Sequence, residues 1–594
     1  MRKPASPTKR SAGAEIAELL ANGLAHQQAG RDTAAEALYA QVLARDPNQP
    51  GANHLLGVIR LKQGRAAEAV DFISRSVRQK PRDPQYLSNL GVALNNAGRP
   101  TEAIDVLYRA LALKPDMAEA HANLGIALRA VRRYDDAAVA HRAALRIKPN
   151  EPGFHFNLGN ALSDGGFPLE SQMSFRRALE LRPTHVGAAN SLSLSLDRHG
   201  AAEEGLRVAE QVLALVPNSA LLLMRRGRSL QELGRLSEAE QSLRQSIDRD
   251  PGLGEARLHL AYITRRHEPA DLVAMEGLLR NVRAPVEQRT FAGFGLGKAL
   301  RDSGRHEESI DTFKLANRIN RQHSPFSIEE ALLQLDDEAR WFDDLERGQV
   351  PEASSETRHI FVVGLPRSGK TTAEKVLARH PRVTAAGELP IMMRLARKLH
   401  LEVGNESPAT IDPARVAAVG SDYRVAVQAL LPGSEVVVDT LPANFRSVSL
   451  IRLALPDARI VWCSRSLPEL CVAIFEKHFT SGGHDYSNDL NDLLRYAAAH
   501  EARRATWVGR YPDGALAFEV GAFLRSPESS TRALLDHCGL TWHAGCAEPV
   551  ASEPQLAEWS PEEQQANTAE HLDLWKKLHP ELWAPVNTAV RTDA

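Results

Sequence analysis

The stretch from Gly364 to Thr372 contains the residue types that bind a phosphate group, and it reads Gly-Leu-Pro-Arg-Ser-Gly-Lys-Thr-Thr. It follows the apolar run His359–Val363, which predicts a buried strand, and precedes Ala373–His380, which predicts a helix. Between a strand and a helix, backbone N–H groups converge on an anion, and the helix N-terminus favours its negative charge. The stretch therefore predicts a phosphate-binding loop.

Two known loop patterns fit this stretch. The pattern G-x4-G-K-T of P-loop nucleotide triphosphatases runs from Gly364 to Thr371. In that interpretation Asp439, which follows three valines, is the candidate Mg²⁺ ligand. The run Pro-Arg-Ser-Gly-x-Thr, from Pro366 to Thr371, instead resembles the 5′-phosphosulfate loop of sulfotransferases. The two interpretations share a fold and differ in chemistry, so other residues must separate them.

The composition limits the class of protein. A chain of 594 residues is too long for a single core, so we expect at least two domains. The net charge of −2 gives no global electrostatic argument for binding nucleic acid or a membrane. Four cysteines do not form a disulfide scaffold, and no apolar stretch approaches the ~20 residues of a membrane span. We expect residues 1–15 to be a disordered basic tail and the protein to be reduced and cytoplasmic.

The first half of the chain repeats every 34 residues. Prolines recur in phase at Pro47, Pro81, Pro115, Pro149, Pro183, Pro217 and Pro251. A period of 34 residues is typical of the tetratricopeptide repeat, in which each unit forms two helices and buries its apolar face only against the next unit. We therefore predict an α-helical repeat array over residues 16–323, with about nine helix pairs and a degenerate eighth pair. A connecting helix and a linker follow over 324–357.

One position of the repeats carries asparagine in three successive units: Asn89, Asn123 and Asn157. By resemblance to peptide-binding members of the repeat family, this position faces the concave groove. A carboxamide there offers a donor and an acceptor to an extended peptide. The alternative is that these asparagines fill polar space inside each repeat.

The second half of the chain alternates between strand-like and helix-like segments. Apolar runs at Ile360–Val363, Val436–Val438, Arg459–Cys463 and Ala515–Val520 predict strands, and helical stretches separate them. This alternation is typical of a parallel sheet covered by helices, with a ligand loop at a strand end. We therefore predict an α/β domain over residues 358–594.

Short motifs occur in a fixed order through this half. They are the loop, then His380-Pro381, Gly387-Glu388, Asp439–Phe445, Leu455–Arg465 and Asp536–Trp542. Together they resemble the bacterial sulfotransferases that are joined to tetratricopeptide repeats, which are related to tyrosylprotein sulfotransferases. The resemblance covers residues 359–550. It implies a P-loop-type parallel-sheet sulfotransferase domain that uses 3′-phosphoadenosine-5′-phosphosulfate (PAPS) as the donor and no metal ion.

The resemblance assigns roles to single residues. The 5′-phosphosulfate would be held by the loop, through Arg367, Ser368, Gly369, Lys370, Thr371 and Thr372. Arg465 matches the arginine of the 3′-phosphate, where a bidentate guanidinium suits a dianion. Lys477 could supply a further cation. Glu388 matches the general base that takes the acceptor proton, although a glutamate in the first turn of a helix is also favoured by the helix dipole.

Four positions depart from the family pattern. Lys370 replaces the first threonine of the loop, Thr440 a catalytic lysine, Ala473 a serine, and Val520 a tyrosine. Each lost hydrogen bond to a charged group costs roughly 1.5–3 kcal/mol, or about ten- to a hundredfold in affinity. Lys370 and Thr440 could be one change, in which the loop supplies the cation that the neighbouring strand usually carries.

We therefore expect a sulfotransferase that acts on a hydroxyl group. The acceptor is expected on a peptide or protein that the repeats recruit, and a glycan or small metabolite is the open alternative. Two other functions fit the same sequence. One is a non-catalytic repeat scaffold with a decayed sulfotransferase domain, and the other is a Mg²⁺-dependent P-loop phosphotransferase or triphosphatase.

Overall fold

A computed structural model describes residues 12–324, 326–347, 358–404, 406–479, 483–511, 514–548 and 561–584. Most of the predicted tail and the predicted linker 348–357 lie outside these ranges. The chain forms two compact units, one up to Ala188 and one from Ala189 onwards. The boundary between the units falls inside the repeat array, so the last repeats belong to the same compact unit as the sheet.

Paired helices form the chain up to His323. Their bounds are α1 Ala12–Gln28, α2 Asp32–Arg45, α3 Pro50–Lys62, α4 Ala66–Gln79, α5 Pro84–Asn96, α6 Pro100–Leu113, α7 Ala118–Ala130, α8 Tyr134–Ile147, α9 Pro152–Asp164, α10 Pro168–Leu181, α11 Val186–Arg198, α12 Ala202–Leu215, α13 Ala220–Glu232, α14 Leu236–Arg249, α15 Gly254–Ile263, α16 Pro269–Arg280, α17 Val286–Asp302 and α18 His306–His323. The predicted degenerate pair, α15 and α16, still folds as two helices, of 10 and 12 residues.

The 34-residue pattern has a direct packing cause. A Cβ atom on Gly91 of α5 would lie 2.5 Å from Cγ of Leu107 on α6, so only glycine lets the two helices approach this closely. Asp83 begins α5, because its side chain accepts hydrogen bonds from the N–H groups of Gln85 and Tyr86. Leu107 is fully buried, as a core residue between two helices should be.

The second unit adds a five-stranded sheet to the last repeats. Its strands are β1 His359–Val363, β2 Val383–Ala385, β3 Val436–Asp439, β4 Ala458–Ser464 and β5 Ala515–Glu519. All neighbours are parallel, in the order β2-β3-β1-β4-β5. The predicted fold class is therefore confirmed, and the short strand β2 is the element that the sequence did not predict.

Helices precede the sheet and cover its faces. They are α19 Ile328–Arg347, α20 Lys370–Ala378, α21 Ile391–Val403, α22 Pro413–Leu430, α23 Val448–Ala454, α24 Leu467–Phe475, α25 Leu490–Arg510, α26 Val520–Arg525, α27 Pro527–His537 and α28 Pro561–Leu578. Because β1 pairs with both β3 and β4, the carboxyl ends of these three strands lie side by side. The segments that follow them meet at this edge, and they carry the phosphate loop, Thr440 and Arg465.

Candidate functional site

The predicted phosphate loop joins β1 to α20. Its backbone takes positive φ angles at Gly364 (141°), Arg367 (66°) and Gly369 (101°). A Cβ atom on Gly364 would lie 2.6 Å from the carbonyl oxygen of Cys463 in β4 and 2.7 Å from Oγ of Ser368. The loop therefore folds tightly against the neighbouring strand, and a side chain at Gly364 could not be accommodated.

The hydroxyl group of Ser368 lies inside this loop without a partner. Ser368 is 1% exposed, and its Oγ atom has no hydrogen-bond partner among the residues that the structure describes. Burying an unpaired hydroxyl costs about 1–3 kcal/mol, so such a group usually has a ligand. The first N–H groups of α20, at Lys370 and beyond, also lack intrahelical acceptors. These residues fit the phosphosulfate group that the resemblance implies.

A lysine and a glutamate meet beside the loop. Nζ of Lys370 lies 4.0 Å from Oε1 of Glu388, and the two side chains are 9% and 59% exposed. Burial lowers the pKa of Lys370, and the negative charge of Glu388 partly opposes this shift. The site therefore combines a cation that is removed from water with a carboxylate that solvent and an acceptor can reach.

The loop that carries Glu388 is held by its backbone. The N–H of Gly387 donates to Oε1 of Glu374 on α20 at 3.1 Å. The carbonyl oxygen of Gly387 accepts from the N–H of Thr440, which follows β3, at 2.8 Å. The candidate base is therefore positioned by both the helix of the phosphate loop and the end of the neighbouring strand. Thr440 and Lys370 both border Gly387-Glu388, which agrees with a cation relocated from the strand to the loop.

Asp439 is a positioning residue that the sequence analysis considered only as a metal ligand. Its Oδ1 atom accepts from the N–H groups of Leu389, at 3.3 Å, and Leu441, at 3.0 Å. Its Oδ2 atom accepts from the hydroxyl of Tyr423 at 3.0 Å. The carboxylate thereby ties the end of β3 to the residue after Glu388. The signal in the sequence was an aspartate at the end of an apolar run, which does not specify its partners.

His484 is a further residue near Lys370 that the sequence analysis did not use. Burial and, second, the positive charge of Lys370 lower its pKa to about 4, so its ring is neutral at pH ~7. Its Nδ1 atom lies 3.2 Å from the hydroxyl of Tyr486, and its ring contacts Phe479. The imidazole is a hydrogen-bonding group on the side of Lys370 rather than an additional cation.

The remaining loop residues lie as their positions in the loop predict. Arg367 and Thr371 are exposed, and Thr372 is half-buried in the first turn of α20. Val520, which replaces the family tyrosine, packs so closely on the loop that a Cβ atom at Gly369 would overlap its side chain. Arg465 follows β4 and is half-buried, and its Nε donates to Oε2 of Glu469 at 3.1 Å. Arg465 would exchange this partner, one turn along its own chain, for a phosphate.

Lys477 has a different neighbour from the one that the sequence analysis expected. Its Nζ atom lies 4.4 Å from the ring centroid of Tyr262, on helix α15 of the repeats. A cation over an aromatic face is a stabilising contact in its own right. Among the described residues we see no contact between Lys477 and the phosphate loop, so its assignment to the donor stays a prediction.

The asparagine series lies in the first unit, on α5, α7 and α9. Asn89, Asn123 and Asn157 are all half-buried. Nδ2 of Asn89 lies 2.7 Å from Nε2 of His54, and its Oδ1 accepts from Gln85 at 3.3 Å. The amide of Asn89 therefore already has partners inside the array, as the alternative interpretation requires. The peptide-binding role of the series stays a prediction.

Comparisons with known proteins agree with the two halves. Residues 359–544 match the sulfotransferase family. Residues 27–90, 94–155, 220–252 and 294–323 match the tetratricopeptide repeat. The chain joins tetratricopeptide repeats to a sulfotransferase-family domain. The predicted resemblance is thereby confirmed, and the family match supports neither a particular donor nor a particular acceptor.

Individual relatives are distant. An uncharacterized protein of Aquifex aeolicus (strain VF5) is 26% identical over 326 residues, which are 53% of this chain and 42% of that protein. The chain thus spans less than half the length of this relative. The crystal structure of MamA is 26% identical and covers 29% of this chain and 94% of its own, with a TM-score of 0.26. The tetratricopeptide-repeat protein TTC0263 of Thermus thermophilus is 23% identical and covers 30% and 98%, with a TM-score of 0.27. In the described ranges, no helix has the length and hydropathy needed to cross a membrane.

Replacing Asp439 by asparagine should change how stability depends on pH. Burial raises the pKa of Asp439 from 3.8 to about 7. Because the folded-state pKa lies above the unfolded one, the stability of the wild type falls as pH rises from about 4 to about 7. Asparagine stays neutral and keeps an oxygen for the N–H groups of Leu389 and Leu441. From about pH 4 to about pH 8, we expect the unfolding free energy of Asp439→Asn to rise by about 2–4 kcal/mol relative to wild type.

Chemical denaturation over that pH range measures this difference. The exposed Asp536 supplies the control variant Asp536→Asn. A constant difference between Asp439→Asn and wild type at all pH values would show that the Asp439 carboxyl is not strained by burial.

Proposed function

We propose that the α/β domain transfers a sulfuryl group from PAPS to a hydroxyl group on a peptide or protein that the repeats recruit. One observation carries the proposal. At a loop containing the buried, unpaired Ser368 hydroxyl, a buried cation, Lys370, lies next to an exposed carboxylate, Glu388. The sulfotransferase-family match over residues 359–544 supports the same chemistry.

The loop residues would bind the donor by hydrogen bonds and charge. Ser368, Thr371 and Thr372 offer hydroxyl groups, and the N-terminal N–H groups of α20 offer further donors. Arg367 and Lys370 add positive charge at the loop, and Arg465 adds a guanidinium at the end of β4. When bound, PAPS supplies an activated sulfuryl group on an anionic leaving group. Transfer of such a group depends mostly on alignment and on positive charge around it.

Glu388 would accept the proton of the acceptor hydroxyl. Its side chain is 59% exposed, so an acceptor can reach it. Its backbone is fixed through Gly387 and Leu389, which reduces the motion of the carboxylate. A positioned general base typically contributes about 10²–10⁴-fold to a rate.

The Mg²⁺-dependent alternative meets a physical obstacle. Asp439, its candidate metal ligand, already accepts hydrogen bonds at both carboxylate oxygens, from Leu389, Leu441 and Tyr423. Coordination of Mg²⁺ there would break contacts that hold the Glu388 loop. We therefore favour sulfuryl transfer over nucleotide hydrolysis.

The substitution Ser368→Ala tests the donor site. It should lower the affinity for adenosine 3′,5′-bisphosphate by about ten- to a hundredfold, because a hydrogen bond to a charged phosphate is lost. The unfolding free energy should stay unchanged or rise, because the buried hydroxyl has no partner in the described residues. Calorimetric titration measures the affinity, and Ser529→Ala, at an exposed serine, is the control.

The same titration separates the three functions. Binding of the bisphosphate without Mg²⁺ supports the proposal. Binding of ATP only with Mg²⁺ would favour a phosphotransferase, and binding of neither would favour a scaffold without catalysis.

Exchanging Lys370 and Thr440 tests whether one cation has moved between them. Lys370→Thr alone should abolish sulfuryl transfer, because the cation of the loop is lost. Lys370→Thr combined with Thr440→Lys should retain activity, because the strand then supplies a cation to the same Gly387-Glu388 segment. Transfer of the sulfuryl group from radiolabelled PAPS measures both variants. Equal activity of the single and double variants would disprove the relocation.

A further inference from the structure

In the second unit, the first helices of successive repeats lie side by side in the order α11, α13, α15 and α17. Nε of Arg225 on α13 donates to Oδ1 of Asn190 on α11 at 3.1 Å. Arg228 on α13 lies 3.4 Å from Nδ1 of His259 on α15. A Cβ atom on Gly295 of α17 would lie 3.2 Å from Cα of Leu258 on α15. These four helices therefore form one continuous row.

One end of this row touches the loop of the candidate base. A Cβ atom on Gly387 would lie 2.9 Å from the carbonyl oxygen of Arg198, the last residue of α11. Gly387 directly precedes Glu388 and is held by Glu374 and Thr440. The end of α11 is therefore in van der Waals contact with the Glu388 loop, and the Arg198 side chain is exposed there.

The other end of the row holds the segment after α24. The Lys477 ammonium lies over Tyr262 of α15, and the His478 ring centroid lies 4.4 Å from that of Phe291 of α17. Arg301 of α17 pairs with the buried Glu476 at 2.8 Å. Because α24 begins two residues after Arg465, the last repeats fasten the helix that follows the candidate 3′-phosphate arginine.

Helix α13 therefore lies between the two contacts, with the Glu388 loop on one side and Lys477 on the other. Arg228 is 34 residues before Tyr262, so it occupies on α13 the position that Tyr262 occupies on α15. Its guanidinium is half-buried and is held by Gln231 at 3.3 Å and Glu232 at 3.1 Å. A guanidinium has five N–H donors, so Arg228 retains donors for a ligand.

We propose that α11 and α13 form one wall of the acceptor cleft, where Arg198 and Arg228 donate hydrogen bonds to main-chain carbonyl groups of an extended peptide acceptor. The hydroxyl of that peptide would lie at Glu388. The inference rests on the proposed function. It makes the last repeats part of the substrate site in addition to any recruiting role. Fixed guanidinium groups suit this task because they direct several donors at known positions.

The test compares Arg198→Ala, Arg198→Lys and Arg228→Ala with the control Arg249→Ala, an exposed arginine at the end of α14. The acceptors are a short alanine-based peptide with one central tyrosine and the small phenol para-nitrophenol, which is too small to span from Glu388 to the wall. For each alanine variant of the wall we expect the KM of the peptide to rise about tenfold. The kcat, the KM of the small phenol and the affinity for adenosine 3′,5′-bisphosphate should not change.

Arg198→Lys should recover part of the lost affinity, and Arg249→Ala should behave as wild type. Unchanged peptide KM values, or equal shifts for both acceptors, would overturn the inference. So would a wild-type protein that binds the bisphosphate but does not sulfate the peptide, and the proposed donor site would then stand. Failure of the wild type to bind the bisphosphate would instead overturn the proposed function.

Discussion

Two backbone N–H groups, those of Leu389 and Leu441, donate to the same carboxylate oxygen of Asp439. Leu389 follows the candidate base and Leu441 follows the end of β3, so this buried carboxylate joins two segments that are distant in sequence. Its burial raises the pKa of Asp439, and the fold retains the group because its oxygens satisfy three donors. The position of Glu388 relative to the phosphate loop depends on this junction.

The charges of the site favour an anionic ligand. Lys370 is nearly inaccessible to water, and burial lowers the pKa of its ammonium group. A buried cation is costly unless it is paired, and Glu388 at 4.0 Å is too exposed to compensate it fully. A phosphosulfate in the loop would supply the missing negative charge and would also satisfy the Ser368 hydroxyl. Charge and hydrogen bonding at the loop therefore both favour binding of the donor.

Sequence patterns predicted the elements and the loop, because those signals are local. The apolar run before Gly364 specifies a buried strand, and the prolines spaced by 34 residues specify the helix pairs. The junction at Asp439 and the contacts of Arg198 with Gly387 and of Lys477 with Tyr262 could not be predicted, because each joins residues that are distant in sequence. The division at Ala188 was also missed, since the repeat period continues across it while the packing does not.

The most direct measurement is a crystal structure of the protein with adenosine 3′,5′-bisphosphate. The account predicts that the 5′-phosphate accepts hydrogen bonds from Oγ of Ser368 and from the first N–H groups of α20, with Nζ of Lys370 beside it. It also predicts that Arg465 leaves Glu469 to bind the 3′-phosphate. A bisphosphate bound elsewhere, with the Ser368 hydroxyl still unpaired, would contradict the account.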